Sequence, residues 1–202
     1  MIAVVDSGSG NLRSVAKALE RAGATRVEVT SDPRVVRGAD RVVVPGQGAF
    51  RDTMVGLTSR GLDEAVREVV AAGRPYLGIC LGLQVLFDES EEHGPVRGLG
   101  ILRGRVVRFA ARPGLKVPHM GWNAVVVRNG DTLWRGLPDP AYVYFVHSYY
   151  AVPDDPRVTA LCTDYGGEIC AAVRHENLFA TQFHPEKSQA IGLGLLGNFV
   201  SA

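Results

Sequence analysis

Cysteine is scarce in this sequence, with three in 202 residues. Cys80, Cys162 and Cys170 make an odd number and include no C-x-x-C pair, which argues against a disulfide framework and a zinc site. No bound metal is expected. An excess of charge is also missing. Lysine and arginine number 22 against 21 acidic residues, a net charge of +1, so nothing suggests nucleic acid or an anionic membrane as a partner. Apolar runs such as AYVYFV at 141–146 fall well short of the roughly 20 residues of a membrane span. The opening MIAVVDSGSG has no basic leader and does not read as a signal peptide. No repeat, low-complexity tract or linker interrupts the chain. A reduced, cytoplasmic protein is the simplest reading, 46% hydrophobic and 21% charged. Its length suits a single domain, 1–202, around one continuous core.

The first half alternates between two periods. IAVV (2–5), RVEVT (26–30), RVVVP (41–45) and YLGI (76–79) read as short strands. Leu12, Val15, Ala16, Leu19 and Ala22 recur at helical spacing before Gly23, and a second helix is expected from Leu62 to Ala72. Short apolar strands separated by helices imply a parallel sheet covered on both faces. The second half is strand-rich: ILRGRVVRF, NAVVVRN, YVYFVHSYYAV, VTALCTDY, ICAAVRH and LFATQF are separated by turn residues. Antiparallel hairpins extending the sheet are expected there. An amphipathic segment, SQAIGLGLLGNFV, closes the chain.

The stretch RPYLGICLGLQVLF (74–87) sets Cys80 between Gly78 and Gly82, where the strand pattern gives way to a helical one. A sharp strand-to-helix turn strains its central residue and requires small neighbours, the logic of the nucleophile elbow. At the start of a helix over LGLQVLFDE (81–89), free N–H groups and the helix dipole favour a thiolate. The N–H of Leu81 would point at a developing oxyanion. A buried, inert thiol is the other reading these residues allow.

A thiolate acting on an acyl group needs an acid–base partner. His184, in TQFHPEKS, ends a strand pattern and precedes Pro185, which holds it extended. Glu186, two residues on, then points the same way and can orient the imidazole. Pro45-Gly46-Gln47-Gly48 follows a third strand, where a bare backbone N–H can approach an oxyanion. The carboxyl ends of parallel strands converge on one crevice, so these loops are expected at one site. The other polar candidates have plainer readings. His93 and His175 fall in turns, His119 and His147 are structural or supporting, and Cys162 and Cys170 are core thiols. SGSGN lacks the lysine and spacing of a phosphate loop.

GICLGLQ with FHPEKS resembles the class I glutamine amidotransferases. DSGSGNLRSV, PGQGAF, CLGLQVLFDESEE, PHMGWN, YFVHSYYAV and QFHPEKS follow in an order similar to one branch, the glutaminase subunits of imidazole glycerol phosphate synthase. The triad motif identifies the superfamily, and PHMGWN with YFVHSY the branch. The resemblance implies a three-layer α/β fold with a mostly parallel central sheet, an antiparallel extension and a flavodoxin-like core. It implies that Cys80 attacks the side-chain amide of L-glutamine, giving a glutamyl thioester and ammonia. His184 would protonate the leaving amine and then activate water, Glu186 would orient it, and Leu81 with Gly46, Gln47 and Gly48 would form the oxyanion hole.

By the same resemblance, Gln84, Glu92, Ser148 and Tyr149 match the glutamine pocket. Asn11, Trp122 and Lys187 match the interface with a (βα)8-barrel cyclase, to which ammonia passes in histidine biosynthesis. No cofactor is implied. On the residues alone, Glu92 also fits a solvated acidic helix end and Trp122 a core aromatic. Two positions depart from the pattern: Ser7 stands where Tyr or another larger residue is usual, and Gln47 where Val is, which bears on how the loop rests. A glutaminase of another synthase, a free-standing γ-glutamyl cysteine hydrolase and a catalytically silent subunit are the alternatives. The intact set of Cys80, His184 and Glu186 speaks against silence.

Overall fold

The computed structural model describes residues 1–129 and 132–202. Thirteen strands occur among them: β1 (Ile2–Val5), β2 (Val27–Thr30), β3 (Arg41–Gly46), β4 (Tyr76–Cys80), β5 (Glu89–Ser90), β6 (Val96–Arg97), β7 (Gly104–Arg108), β8 (His119–Val127), β9 (Ala141–His147), β10 (Tyr149–Pro153), β11 (Thr159–Asp164), β12 (Glu168–His175) and β13 (Leu178–Thr181). The helices are α1 (Leu12–Arg21), α2 (Pro33–Gly38), α3 (Phe50–Thr58), α4 (Leu62–Ala71), α5 (Leu81–Gln84) and α6 (Gln189–Ser201).

One mixed sheet of nine strands carries the fold, in the order β2-β1-β3-β4-β13-β12-β11-β8-β9. The five strands from β2 to β13 run parallel, and the four beyond them alternate in direction. Period-two alternation divides the core between its faces. Ala3, Val5, Val42 and Val44 pack with α3 and α4 on one side. Ile2, Val4, Val43, Leu77 and Ile79 pack with α1 and α6 on the other. Phe50 and Phe87 anchor the first layer, Phe145, Phe183 and Phe199 the second, all fully buried. Burial of each such ring is worth about 1.5–3 kcal/mol.

Two helices had no counterpart in the sequence reading. The six-residue α2 is too short for a period, but Asp32 caps it by accepting from the Arg34 N–H at 2.8 Å, with Pro33 at its first position. In α3, Phe50, Thr53, Met54 and Leu57 face inward at helical spacing, a pattern that was present in the sequence.

Three expectations need correction. The helix expected over 81–89 is a single turn, Leu81–Gln84. Val85, Leu86 and Phe87 are all fully buried, so the segment has no polar face to turn to solvent. Their carbonyls are taken by the 99–102 segment instead: Val85 by the Leu99 N–H at 2.7 Å, Leu86 by Ile101 and Leu102, and Phe87 by Gly100. YVYFVHSYYAV is two strands, broken at Ser148 between β9 and β10. Finally, β7 and β10 do not extend the main sheet. They form a second, four-stranded sheet with β5 and β6, in the order β10-β7-β5-β6.

Candidate active site

Three loops leave the carboxyl end of the parallel strands side by side. Gly46 of β3 lies opposite Cys80 of β4, and Thr181 of β13 lies opposite Ile79. The segment after β13 therefore passes Cys80 from the other side. Cys80 has φ 56° and ψ −107°, a conformation that persists only where the surroundings hold it. Two glycines make room for it. A Cβ on Gly82 would lie 1.7 Å from the Val44 carbonyl oxygen, and one on Gly78 would lie 2.4 Å from that of Gly82. Gly82→Ala is expected to destabilise the fold by roughly 3 kcal/mol, read as a lower urea midpoint at unchanged slope. An unchanged midpoint would mean the elbow relaxes freely.

His184 and Glu186 are both buried, with Nδ1 and Oε1 2.8 Å apart. A carboxylate oxygen accepts, so Nδ1 carries hydrogen and the imidazole presents Nε2 to the thiol. Nε2 has no hydrogen-bond partner of good geometry among the described residues, yet Cys80 is near enough to favour its protonated form. Burial opposes protonation of this ring, but Cys80 and Glu186 outweigh it, and His184 is pushed up to about 9. Such a site favours the imidazolium form of His184. The one-turn α5 has little dipole to contribute. Its unpaired first N–H groups, beginning with Leu81, are what remain to meet an oxyanion.

A cavity of about 420 Å³ opens over the thiol, lined by Gln47, Gly48, Leu81, Gln84, Glu92, Ser148, Tyr149, His184 and Lys187. Most of the expected site residues thus converge. Gly46 lies outside the cavity wall, on β3. Glu92 is no helix end: its Oε2 accepts from the Phe50 N–H, at the start of α3, at 2.7 Å. Both N–H groups of Gln84 are engaged, by the Tyr149 carbonyl and by Gln182 Oε1, each at 3.0 Å. Cys162 and Cys170 are free and buried, and no group of three or more potential ligands stands ready for a metal among the described residues.

Asn11 and Trp122 do not line the cavity. Asn11 precedes α1, in the loop that brings Gly10 alongside Gly46. Trp122 is no core residue, being 47% exposed, and its ring meets Tyr144 edge-on at 6.1 Å. Lys187 lies 5.7 Å from the centre of the same Tyr144 ring. Tyr144 was missed in the sequence, although its place opposite Trp122 in the β8–β9 ladder follows once the two strands pair. Gln182 was missed as well.

The glutamine amidotransferase class-I family model matches residues 3–200. The imidazole glycerol phosphate synthase subunit HisH of Syntrophotalea carbinolica is 54% identical, covering 98% of both chains. That of Rhodopirellula baltica is 52% identical over 100% of this chain and 98% of its own. The chain belongs to the class-I glutamine amidotransferases, in the HisH family. The fold agrees: a structure of PurLQS from Thermotoga maritima superposes with a TM-score of 0.71 at 22% identity, covering 99% of this chain and 94% of that one. In this glutamine amidotransferase the cavity over Cys80 is therefore the place to look for glutamine.

Proposed function

We propose that this chain is the glutaminase subunit of an imidazole glycerol phosphate synthase. It hydrolyses L-glutamine and hands the ammonia to a (βα)8-barrel cyclase in histidine biosynthesis. The observation that carries the proposal is the alignment of Cys80 and His184 in the cavity wall with Glu186 held behind the imidazole. The Cys80 sulfur attacks the amide carbon of glutamine, and the carbonyl electrons move onto oxygen. The N–H of Leu81 and those of the Gln47–Gly48 loop receive that charge. His184 gives its proton to the departing nitrogen, so ammonia leaves and a glutamyl thioester remains. The same imidazole then takes a proton from water, which attacks the thioester, releases glutamate and returns the thiol. Glu186 holds the ring through Nδ1 in both halves. Glu92 is suited to the α-ammonium of glutamine, and Ser148 with Tyr149 to its carboxylate. The extent of the nine-stranded sheet, from Ile2 to Thr181, supports one domain over 1–202.

The surface beside the cavity supports the partnership. Alternation along β8 and β9 turns Met120, Trp122 and Val126 outward together with Tyr142, with the first turn of α6, residues 189–191, bordering Trp122 and Tyr142. Met120 is 66% and Tyr142 62% exposed. A contiguous apolar patch beside a catalytic mouth marks a docking face. Trp122 and Tyr144 are its aromatic anchors, and Lys187 links it to the cavity. The partners form a heterodimer whose docking activates the glutaminase. No helix among the described residues is long and apolar enough to cross a membrane, in keeping with a cytoplasmic enzyme.

The test is ammonia release from L-glutamine by this chain alone and with the barrel cyclase and its nucleotide ligand. Slow release alone and fast release in the complex is the expected result. Trp122→Ala should weaken capture of the cyclase by roughly 2 kcal/mol, about thirtyfold. Fast, partner-independent turnover would instead identify a free-standing hydrolase.

A further inference from the structure

Gln182 is fully buried and sits two residues before His184. The segment is not the extended run expected from the sequence. Gln182 and Phe183 form a bend, His184 alone is extended and Glu186 lies in the short 3-10 turn Pro185–Lys187, so Gln182 is brought to the thiol by its contacts and not by alternation. Its Nε2 lies 3.6 Å from the Cys80 sulfur, within reach of an N–H···S hydrogen bond. The orientation of this carboxamide is forced by its neighbours. Gln84 donates one N–H to the Tyr149 carbonyl and the other to Gln182. The group on Gln182 that receives it is therefore the oxygen, which leaves Nε2 with an N–H toward the thiol.

The line of hydrogen bonds continues beyond Gln84. The Tyr149 carbonyl can only accept, so His147 donates to it from Nδ1, at 2.9 Å. His147 Nε2 then accepts from His119 Nδ1 at 3.0 Å, and His119 Nε2 from Asn123 at 3.3 Å. Asn123 is fixed in turn by donating to the Asp164 carbonyl at 2.9 Å. Burial holds both rings in their neutral forms, His147 down to about 3 and His119 to about 4. Each donor in the chain meets an acceptor, and no member can turn over without leaving a buried group unpaired. Its outer end is Asn123, next to Trp122 on β8.

We infer that Gln182 is a positioning residue for the nucleophile. It donates a hydrogen bond to the Cys80 sulfur, and Gln84, itself fixed by the acceptor-only Tyr149 carbonyl on which His147 also converges, locks its amide in the donating orientation. His184 supplies the proton transfer, and Gln182 fixes and stabilises the sulfur that attacks. The inference rests on Cys80 being the nucleophile.

Gln182→Glu is nearly isosteric, keeps an acceptor for Gln84 and removes the donor to sulfur; Gln182→Met removes both. A hydrogen bond to a charged group is worth about 1.5–3 kcal/mol, roughly 10- to 150-fold in rate. In the complex with the barrel cyclase, both variants should therefore lose kcat by about that factor. KM should stay within about threefold, the mark of an interaction used in the transition state and not in uniform substrate binding. Alkylation of Cys80 by iodoacetamide at neutral pH should slow in parallel.

A rise in KM at unchanged kcat, or a loss of kcat with alkylation untouched, would overturn the inference. So would full activity in both variants. If neither variant folds, the side-chain amide resonances of Gln182 in the unmodified protein decide. They should shift markedly in Cys80→Ala, and an unmoved signal refutes the bond. The parent reading fails separately, if Cys80→Ala still hydrolyses glutamine.

Discussion

Replacing Cys80 by alanine is expected to lower glutamine-dependent turnover by about 10⁴-fold or more while leaving the fold intact. The size of the loss follows from the thiol's part in the mechanism. On the proposed mechanism its sulfur is the atom that becomes covalently bound, and no neighbouring group can take its place. Substituting alanine also removes little volume, and the strained backbone at φ 56° is fixed by Gly78, Gly82 and the packing of β3 against β4, none of which involves sulfur. The informative comparison is with ammonium salts. In the complex, Cys80→Ala should make the cyclase product from added ammonium at the rate of the unaltered enzyme, because only ammonia production has been lost. Failure with ammonium as well would mean that the substitution disturbs the partner or the passage between the two sites. Survival of the glutamine reaction would remove Cys80 from the mechanism.

Glu186→Gln should rank next. The carboxylate at 2.8 Å holds the imidazole with Nε2 toward sulfur and favours its charged form. An amide of the same shape keeps neither the charge nor the acceptor role without competition, so kcat should fall by about 10²- to 10⁴-fold with KM little changed. Stability should report the same pair. The folded His184 titrates near 9 against an ordinary 6.5. A raised value means that the folded protein holds the proton more tightly than the unfolded chain. The associated stability is therefore complete below about pH 6.5 and is lost as pH rises through about 9. The gap in Tm between the protein and Glu186→Gln should be widest near pH 6 and narrow toward pH 9. A gap that stays constant across that window would show His184 neutral in the folded state.

Which parts of this site could be read from the sequence depended on distance along the chain. Gly78, Cys80 and Gly82 declare themselves because the strain and its relief lie within five residues. His184, Pro185 and Glu186 do so because proline imposes an extended backbone on its neighbour. The parallel strands were legible from short β-branched runs, and α1 and α4 from clear apolar spacing. What was hidden depended on contacts between distant segments. The helix after Cys80 ends after one turn because the carbonyls of Val85, Leu86 and Phe87 are claimed from residues 99–102, which no local propensity records. The break at Ser148 likewise depends on β7 pairing with β10. Gln182 stands only two residues before His184, but the bend at 182–183 and the 3-10 turn after His184 mean that spacing alone does not point it at Cys80. It passed as part of a strand because its two partners, Gln84 and Cys80, lie about a hundred residues away.

The outward row of Met120, Trp122, Val126 and Tyr142 has a consequence for how the cell makes this protein. β9 is the last strand of its sheet, and the 184–188 segment closes the middle of its edge by pairing with both backbone groups of Tyr144, so what this corner presents is its apolar surface, which favours association when left uncovered. On the proposed partnership, a subunit synthesised in excess of its cyclase carries that corner uncovered. Solubility in the cell then depends on stoichiometry: balanced production of the two chains protects the glutaminase, and its partner acts as a chaperone for it as well as its customer.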